Sequence, residues 1–412
     1  MKQILHTPEG VRDIYNEECQ KKLRLQELLH DTLYRYGYRD IQTPTFEFFD
    51  VFSKEVGTVP SRELYKFFDK EGNTLVLRPD ITPSVARAAS KYFLEEAMPI
   101  RLCYMGNIFI NNANFQGRLK ETTQLGAEYM GDPTVDADGE MLALVVESLL
   151  KAGLQEFQIS VGHIGYFKSL LKEAGIQEEE ELALRELISN KNHFGVEELL
   201  SELEMNSSVK EALLSLPQMY GNWEILENAR ALAVNQEGRD AVERLEKLYQ
   251  ILKLYGYEKY ISFDLGVVSK YKYYTGILFR AYTYGTGEPV VKGGRYDTLL
   301  EHFGKRFPSV GFAIVVDQLL TALNRQGIAI PTAIPAMLLL YREEELPGAI
   351  AYAKTLREQN SPVELLRIEE GKTLEDYRSY ARRMGVGAIW YFENGGIVEE
   401  LLRLHGACGQ DR

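Results

Sequence analysis

The sequence predicts an α+β fold: an antiparallel sheet flanked by helices, carrying a helical insertion and a small α/β unit near the C-terminal end. Three observations lead there. Strand-like runs joined by short turns recur on both sides of a long helical stretch. That stretch, about residues 164–252, is rich in Glu and Leu and shows little strand signal. Beyond about residue 331, strand-like and helix-like segments alternate.

Residues 17–36 carry helical spacing, with Leu23, Leu25, Leu28, Leu29 and Leu33 expected on one face and Gly37 as the end cap. "RDIQTPTFEFFDVF" reads as a short strand and an irregular segment. "LYKFFDKEGNTLVLRPD" reads as a β-hairpin turning at "EGN". A helix follows in "ITPSVARAASKYFLEEA", with Thr82 as its candidate N-cap and Pro83 at the first helical position. Strands are expected near 101–110, 120–130 and 155–162, the last two separated by the helix "ADGEMLALVVESLLKAG". After the insertion come "YISFDLG" and "YKYYTGILFRAY", then "GEPVVKGGRYDTLLEHFG", turning from strand to helix. "SVGFAIVVDQLLTALNRQG" adds one more strand and helix. "IAIPTAIPA" is a linker, so the domains expected are 1–330 and 331–412, the second a small parallel α/β unit.

Composition narrows the function classes. The chain has 412 residues and a formal net charge of -13, with no basic run, which argues against a nucleic-acid partner. Three widely spaced cysteines without a CxxC, and scattered histidines, suggest reduced thiols and no metal site. No apolar run reaches membrane-spanning length, so a cytoplasmic protein without membrane attachment is expected. Neither a P-loop nor a GxGxxG motif occurs, and no cofactor is implied.

A pocket is legible in the strand periodicity. In "TTQLGAEYMG", Gln124, Gly126 and Glu128 share one face, and a glycine between polar residues marks close approach of a ligand. The competing reading is a solvated sheet face. "KYYTGIL" repeats the pattern: Tyr274 would face the pocket, and Tyr273 would point away as a packing residue. Asp80 and Thr82 stand where a strand ends and a helix begins. Two carboxylates, a carboxamide and hydroxyls suit a small ligand rich in donors, such as an α-ammonium with an imidazole. No Arg or Lys is expected on these strand faces to hold a phosphate.

Six stretches in order, "TPEGVRD", "LRPDITPSVAR", "QGRLKETTQLGAEYMG", "YYTG", "GGRYD" and "PSVGFAI", resemble the catalytic core of histidyl-tRNA synthetase, a class II aminoacyl-tRNA synthetase. The resemblance implies a class II antiparallel sheet and histidine-binding roles for Asp80 (Glu is usual there), Thr82, Gln124, Glu128, Tyr274 and Tyr296. In that family the acid and hydroxyl hold the α-amino group, while the strand glutamate and the tyrosine hold the imidazole. The ATP side departs from the pattern. Ile110 stands at the motif 2 Arg, Asn112 at its acidic partner, Ser269 at a second catalytic Arg, and Gln318 at the motif 3 Arg. Losing such donors costs a few kcal/mol of transition-state stabilisation each, so adenylation is not expected and no catalytic residue is assigned.

A synthetase-like core that keeps histidine and discards ATP resembles the regulatory subunits of ATP phosphoribosyltransferase. That resemblance implies a short-form catalytic subunit as partner, L-histidine as effector, and a homodimer within a hetero-oligomer. It also implies a non-catalytic role in the first step of histidine biosynthesis. The C-terminal unit resembles a shortened anticodon-binding domain. The alternatives are a histidine–tRNA ligase with altered ATP contacts and a stand-alone histidine-binding regulatory protein.

Overall fold

The structure, a computed structural model, describes residues 5–52, 59–93, 95–111, 119–267, 273–332 and 335–403. The chain divides into two compact units, one of Met1–Arg12 with Leu25–Ile330, the other of Asp13–Arg24 with Pro331–Arg412.

Helix α1 (Asn16–Arg35), which belongs to the first unit from Leu25 onward, leads into β1 (Arg39–Asp40) and then β2 (Phe46–Phe48), β3 (Lys66–Phe68) and β4 (Thr74–Leu77). The last three form a small antiparallel sheet in the order β2-β4-β3, and the hairpin turns where Gly72 adopts φ +85°. Helix α2 (Thr82–Tyr92), β5 (Ile100–Phe109), β6 (Glu121–Met130), α3 (Val135–Lys151) and β7 (Phe157–His163) follow. The insertion holds α4 (Ile164–Ala174), α5 (Glu178–Ser189), α6 (His193–Ser201), α7 (Ser207–Ser215), α8 (Ile225–Ala231) and α9 (Gln236–Tyr255). It also contains a two-residue strand, β8 (Tyr220–Gly221), which helical spacing did not disclose. The core closes with β9 (Ile261–Asp264), β10 (Ile277–Thr283), β11 (Val291–Arg295), β12 (Ser309–Val315) and α10 (Val316–Arg325).

Nine strands make the main sheet, in the order β1-β5-β6-β12-β11-β10-β7-β9-β8. Pairing is parallel at β1/β5 and β7/β9 and antiparallel at the other junctions. Alternation sorts its side chains between two cores. Leu125, Ala127, Ile159, Val161, Phe279 and Ile314 pack on α3 and the insertion. Leu102, Tyr104, Ile108, Leu278 and Tyr296 face the opposite way, beneath Ile81, Val85 and Ala89 of the α2 region. Leu25, Leu29 and Leu33 of α1 are fully buried, an i, i+4, i+8 stripe. Leu23 lies two residues off that stripe and is 60% exposed, against the expectation from sequence.

The second unit contains β13 (Met337–Tyr341), α11 (Leu346–Glu358), β14 (Val363–Arg367), α12 (Leu374–Met384), β15 (Ala388–Glu393) and β16 (Gly396–Arg403). Its sheet runs β14-β13-β15-β16. The first three strands are parallel, as expected, but β16 turns back antiparallel on β15 through the tight turn at Asn394 and Gly395. A short hairpin cannot return a strand parallel, so the sheet is mixed.

Candidate functional site

Glu128, in the middle of β6, is 1% exposed, and three hydroxyls surround its carboxylate. Oε1 accepts from Thr82 Oγ1 at 2.7 Å and from Tyr104 OH at 3.2 Å, and Oε2 accepts from Tyr296 OH at 2.5 Å. Each donor comes from a different element: the start of α2, the neighbouring strand β5, and the residue after β11. Two glycines make room for this arrangement. Gly311 pairs with Glu128 across β12/β6, and a Cβ there would overlap the Glu128 carboxylate. Gly126 pairs with Tyr104, and its Cβ would come 2.5 Å from the Tyr104 hydroxyl and from the Phe312 carbonyl. Glycine in these strands therefore serves close approach rather than bending.

Burial dominates the electrostatics. Loss of solvent pushes the Glu128 carboxyl up to about 8, and the nearby Asp80 charge adds to this, while the bonds from Tyr296, Thr82 and Tyr104 oppose it. Tyr104 and Tyr296 are held well above the ordinary phenol range, first by burial and then by the Glu128 charge, so both remain donors. Asp80 is also buried, and desolvation raises its carboxyl. It accepts from Tyr273 OH at 3.1 Å and from the Thr82 amide at 3.4 Å. Behind the site, buried Arg295 donates to Asp138 Oδ1 at 2.8 Å, and Arg244 of α9 donates to Asp138 Oδ2 at 2.7 Å. This network anchors the strand that ends beside Tyr296.

A cavity of about 210 Å³ opens onto these groups. Asp80, Thr82, Gln124, Glu128, Tyr274, Tyr296, Ile110 and Gln318 all line it, so residues up to 238 positions apart in sequence meet in one space. Gln124 Oε1 is buried there without a hydrogen-bond partner, an acceptor that a ligand donor could satisfy. The volume falls below the range of drug-sized sites and suits a ligand of amino-acid size. Asn112 and Ser269 lie outside the described residues. A larger cavity, about 630 Å³, sits at the far edge of the sheet, lined by Tyr220, Trp223, Tyr249 and the Lys191–Asp264 ion pair. It includes none of the residues singled out from sequence.

Three expectations need correction. Tyr273 does not point away: it lines the cavity and its hydroxyl reaches Asp80, because β10 starts only at Ile277 and strand alternation does not extend back to 273 and 274. Thr82 is not an N-cap. It is the first helical residue, so Pro83 stands second rather than first; Ile81 holds the cap position, and the hydroxyl is engaged by Glu128. The cavity is also not without a cation, since Lys292 lines it and its charge favours ionised Asp80. Counting back by two from Tyr296 through Gly294 places Lys292 on the pocket face, a signal present in "VKGGRY". No arginine is among the described residues lining the cavity.

Residues 10–319 match the family described as histidyl-tRNA synthetase. A protein of Acetivibrio thermocellus named ATP phosphoribosyltransferase regulatory subunit is 38% identical over 385 residues, covering 93% of this chain and 92% of that protein. A crystal structure described as an ATP phosphoribosyltransferase regulatory subunit/histidyl-tRNA synthetase from Bacillus halodurans superposes with a TM-score of 0.84 at 32% identity, covering 94% of this chain and 98% of its own. Histidyl-tRNA synthetase from a Nostoc species shares the fold, with a TM-score of 0.75 at 20% identity over 94% of this chain and 91% of its own.

Proposed function

This chain belongs to the histidyl-tRNA synthetase family, among the ATP phosphoribosyltransferase regulatory subunits, and we propose that it senses L-histidine in the Glu128 cavity on behalf of a short-form ATP phosphoribosyltransferase catalytic subunit. In this reading it carries out no adenylation itself. The observation that carries it is the inequality of the cavity. Buried acceptors and hydroxyls are held at one end, and Ile110 and Gln318 occupy the other.

The chemistry favours a donor-rich cationic amino acid. Asp80 would take the α-ammonium, with the free Gln124 carbonyl as a further acceptor. Glu128 would take an imidazole N–H, held in place by Tyr296 and Tyr104. Feedback requires histidine to bind two arrangements of the complex with different affinity, which biases it towards the less active one. A homodimer is part of the same reading. Phe46, Phe48 and Phe67 share one face of the small sheet and are each more than a third exposed, an apolar patch suited to a second copy.

The test is reconstitution. Mixing this protein with the short catalytic subunit, ATP and phosphoribosyl pyrophosphate should raise phosphoribosyl-ATP formation, and added histidine should suppress it. Absence of both association and any rate change would overturn the reading. One observation favours a second reading, a histidine–tRNA ligase: Lys292 could meet a phosphate in the cavity. Histidine-dependent exchange of pyrophosphate into ATP would decide for that alternative.

A further inference from the structure

The two faces of β5 serve different neighbours. Tyr104 turns towards Glu128, and Cys103, one residue earlier, turns to the opposite face. There its sulfur lies 3.6 Å from Asp40 Oδ1, and the same oxygen lies 2.7 Å from His30 Nε2. One ligand atom from each of these residues falls within 4.8 Å of the other two. Helix α1 supplies His30, β1 supplies Asp40 and β5 supplies Cys103. Asp40 and Cys103 are register partners in the parallel pair, so their side chains leave the sheet side by side.

We propose that His30, Asp40 and Cys103 form a binding site for Zn²⁺ or a similar borderline-soft divalent ion, with water in the fourth position. A nitrogen, an oxygen and a sulfur donor select zinc-like ions and disfavour Mg²⁺ and Ca²⁺, which take oxygen ligands. Tetrahedral coordination with ordinary Zn–ligand lengths sets ligand atoms roughly 3.2–3.7 Å apart. The Asp40–Cys103 separation already matches. The His30–Asp40 pair, now hydrogen-bonded, has to open by roughly half an ångström to reach that range. Both side chains are free to do so, being 36% and 65% exposed, while the buried Cys103 provides a fixed anchor. Binding forms the sulfur–metal bond as the S–H bond breaks, and the proton leaves to water through the exposed side of the site. The scattered spacing of the three residues hid this juxtaposition from the sequence. A bound ion would pin α1 to the sheet across the strand from the Tyr104–Glu128 bond.

The experiment is metal titration of the full chain, freed of histidine because histidine itself chelates zinc. Zn²⁺ is followed by competition with a chromophoric chelator, and Co²⁺ by its absorption spectrum. One ion per chain is expected, with a thiolate-to-cobalt charge-transfer band that disappears in Cys103→Ser. His30→Asn changes only a partly exposed side chain, so it keeps the fold should Cys103→Ser fail to. It should weaken Zn²⁺ binding at least ~10-fold, the usual scale for losing a residue that supports a metal site. No stoichiometric binding, a cobalt spectrum without the charge-transfer band, or affinity unchanged in His30→Asn would each overturn the proposal.

Discussion

The two ends of the 210 Å³ cavity solve different physical problems. At the inner end, Asp80 and Glu128 are taken out of water, which is costly for carboxylates, and hydroxyls from Thr82, Tyr104, Tyr273 and Tyr296 offset part of that cost. At the outer end, Ile108, Ile110, Leu119 and Val315 line the wall, and burying them carries no such penalty. A chain with no use for a ligand would gain stability by making the inner end apolar too, because buried ionic networks are weak stabilisers. Under the proposed function, the contrast marks the end of the cavity where a binding demand persists.

The sharpest way to break the comparison is at Glu128. Glu128→Gln keeps the shape and removes the charge. In a buried, hydrogen-bonded charge pair such a change costs about 2–5 kcal/mol, so histidine affinity measured by calorimetry should fall roughly 10²-fold or more. Affinity within threefold of the unmutated protein would show that the inner end does not hold the ligand.

Next in size is a pH effect on the ligand-free protein. The Glu128 carboxyl is raised to about 8 in the folded state, from 4.5, and that of Asp80 is raised as well. Between those values the native state holds protons that the unfolded state has lost, so stability must fall as pH rises. The slope reaches about 1.4 kcal/mol per pH unit for each fully linked group. Denaturant midpoints should therefore decline from pH 5 to pH 8, and Glu128→Gln should flatten the decline. An unchanged slope in the variant would show that Glu128 ionises freely. Histidine, which pairs with the ionised form, should release a proton on binding in the same window.

Tyr273 offers a smaller test. Tyr273→Phe leaves buried Asp80 short of a donor, which costs on the order of 1–2 kcal/mol, so histidine affinity should drop about 5- to 30-fold. No change at Tyr273 with a loss confined to Tyr274→Phe would restore the sequence-based view that only the second tyrosine serves the pocket.

That pair also shows what was legible in the sequence. Period-2 alternation put Gln124 and Glu128 on one face because β6 is a continuous ten-residue strand. The same rule failed at Tyr273 because the chain there is not yet a strand. Thr82 reads as a cap because a hydroxyl beside a helix start usually is one, and only the three-dimensional approach of Glu128 competes for it. Lys292 is within reach of the alternation rule, counted back along β11 from Tyr296. The convergence of Asp80, Glu128 and Tyr296 came from the order of the six motifs, since strand order in the sheet is not set by local pattern. His30, Asp40 and Cys103 left no local signal, because α1, β1 and β5 meet only through packing.

The smallest effect is expected at the outer end, and it tests the comparison from the other side. Gln318→Arg places a guanidinium on the cavity wall, at a position where the resemblance puts a catalytic arginine. If the outer end has lost its role through several positions together, one restored charge supplies little. Groups that act as a unit in catalysis are far from additive. Ile110 would still offer no donor, and Ile108, Leu119 and Val315 would still line the cavity with it. The variant should show no histidine-dependent pyrophosphate exchange, and its histidine affinity should stay within about fivefold, because surface and rim charges contribute at most ~1 kcal/mol. Measurable exchange in Gln318→Arg would mean that the outer end is one substitution from an ATP site, and the two ends of the cavity would then differ in degree rather than in kind.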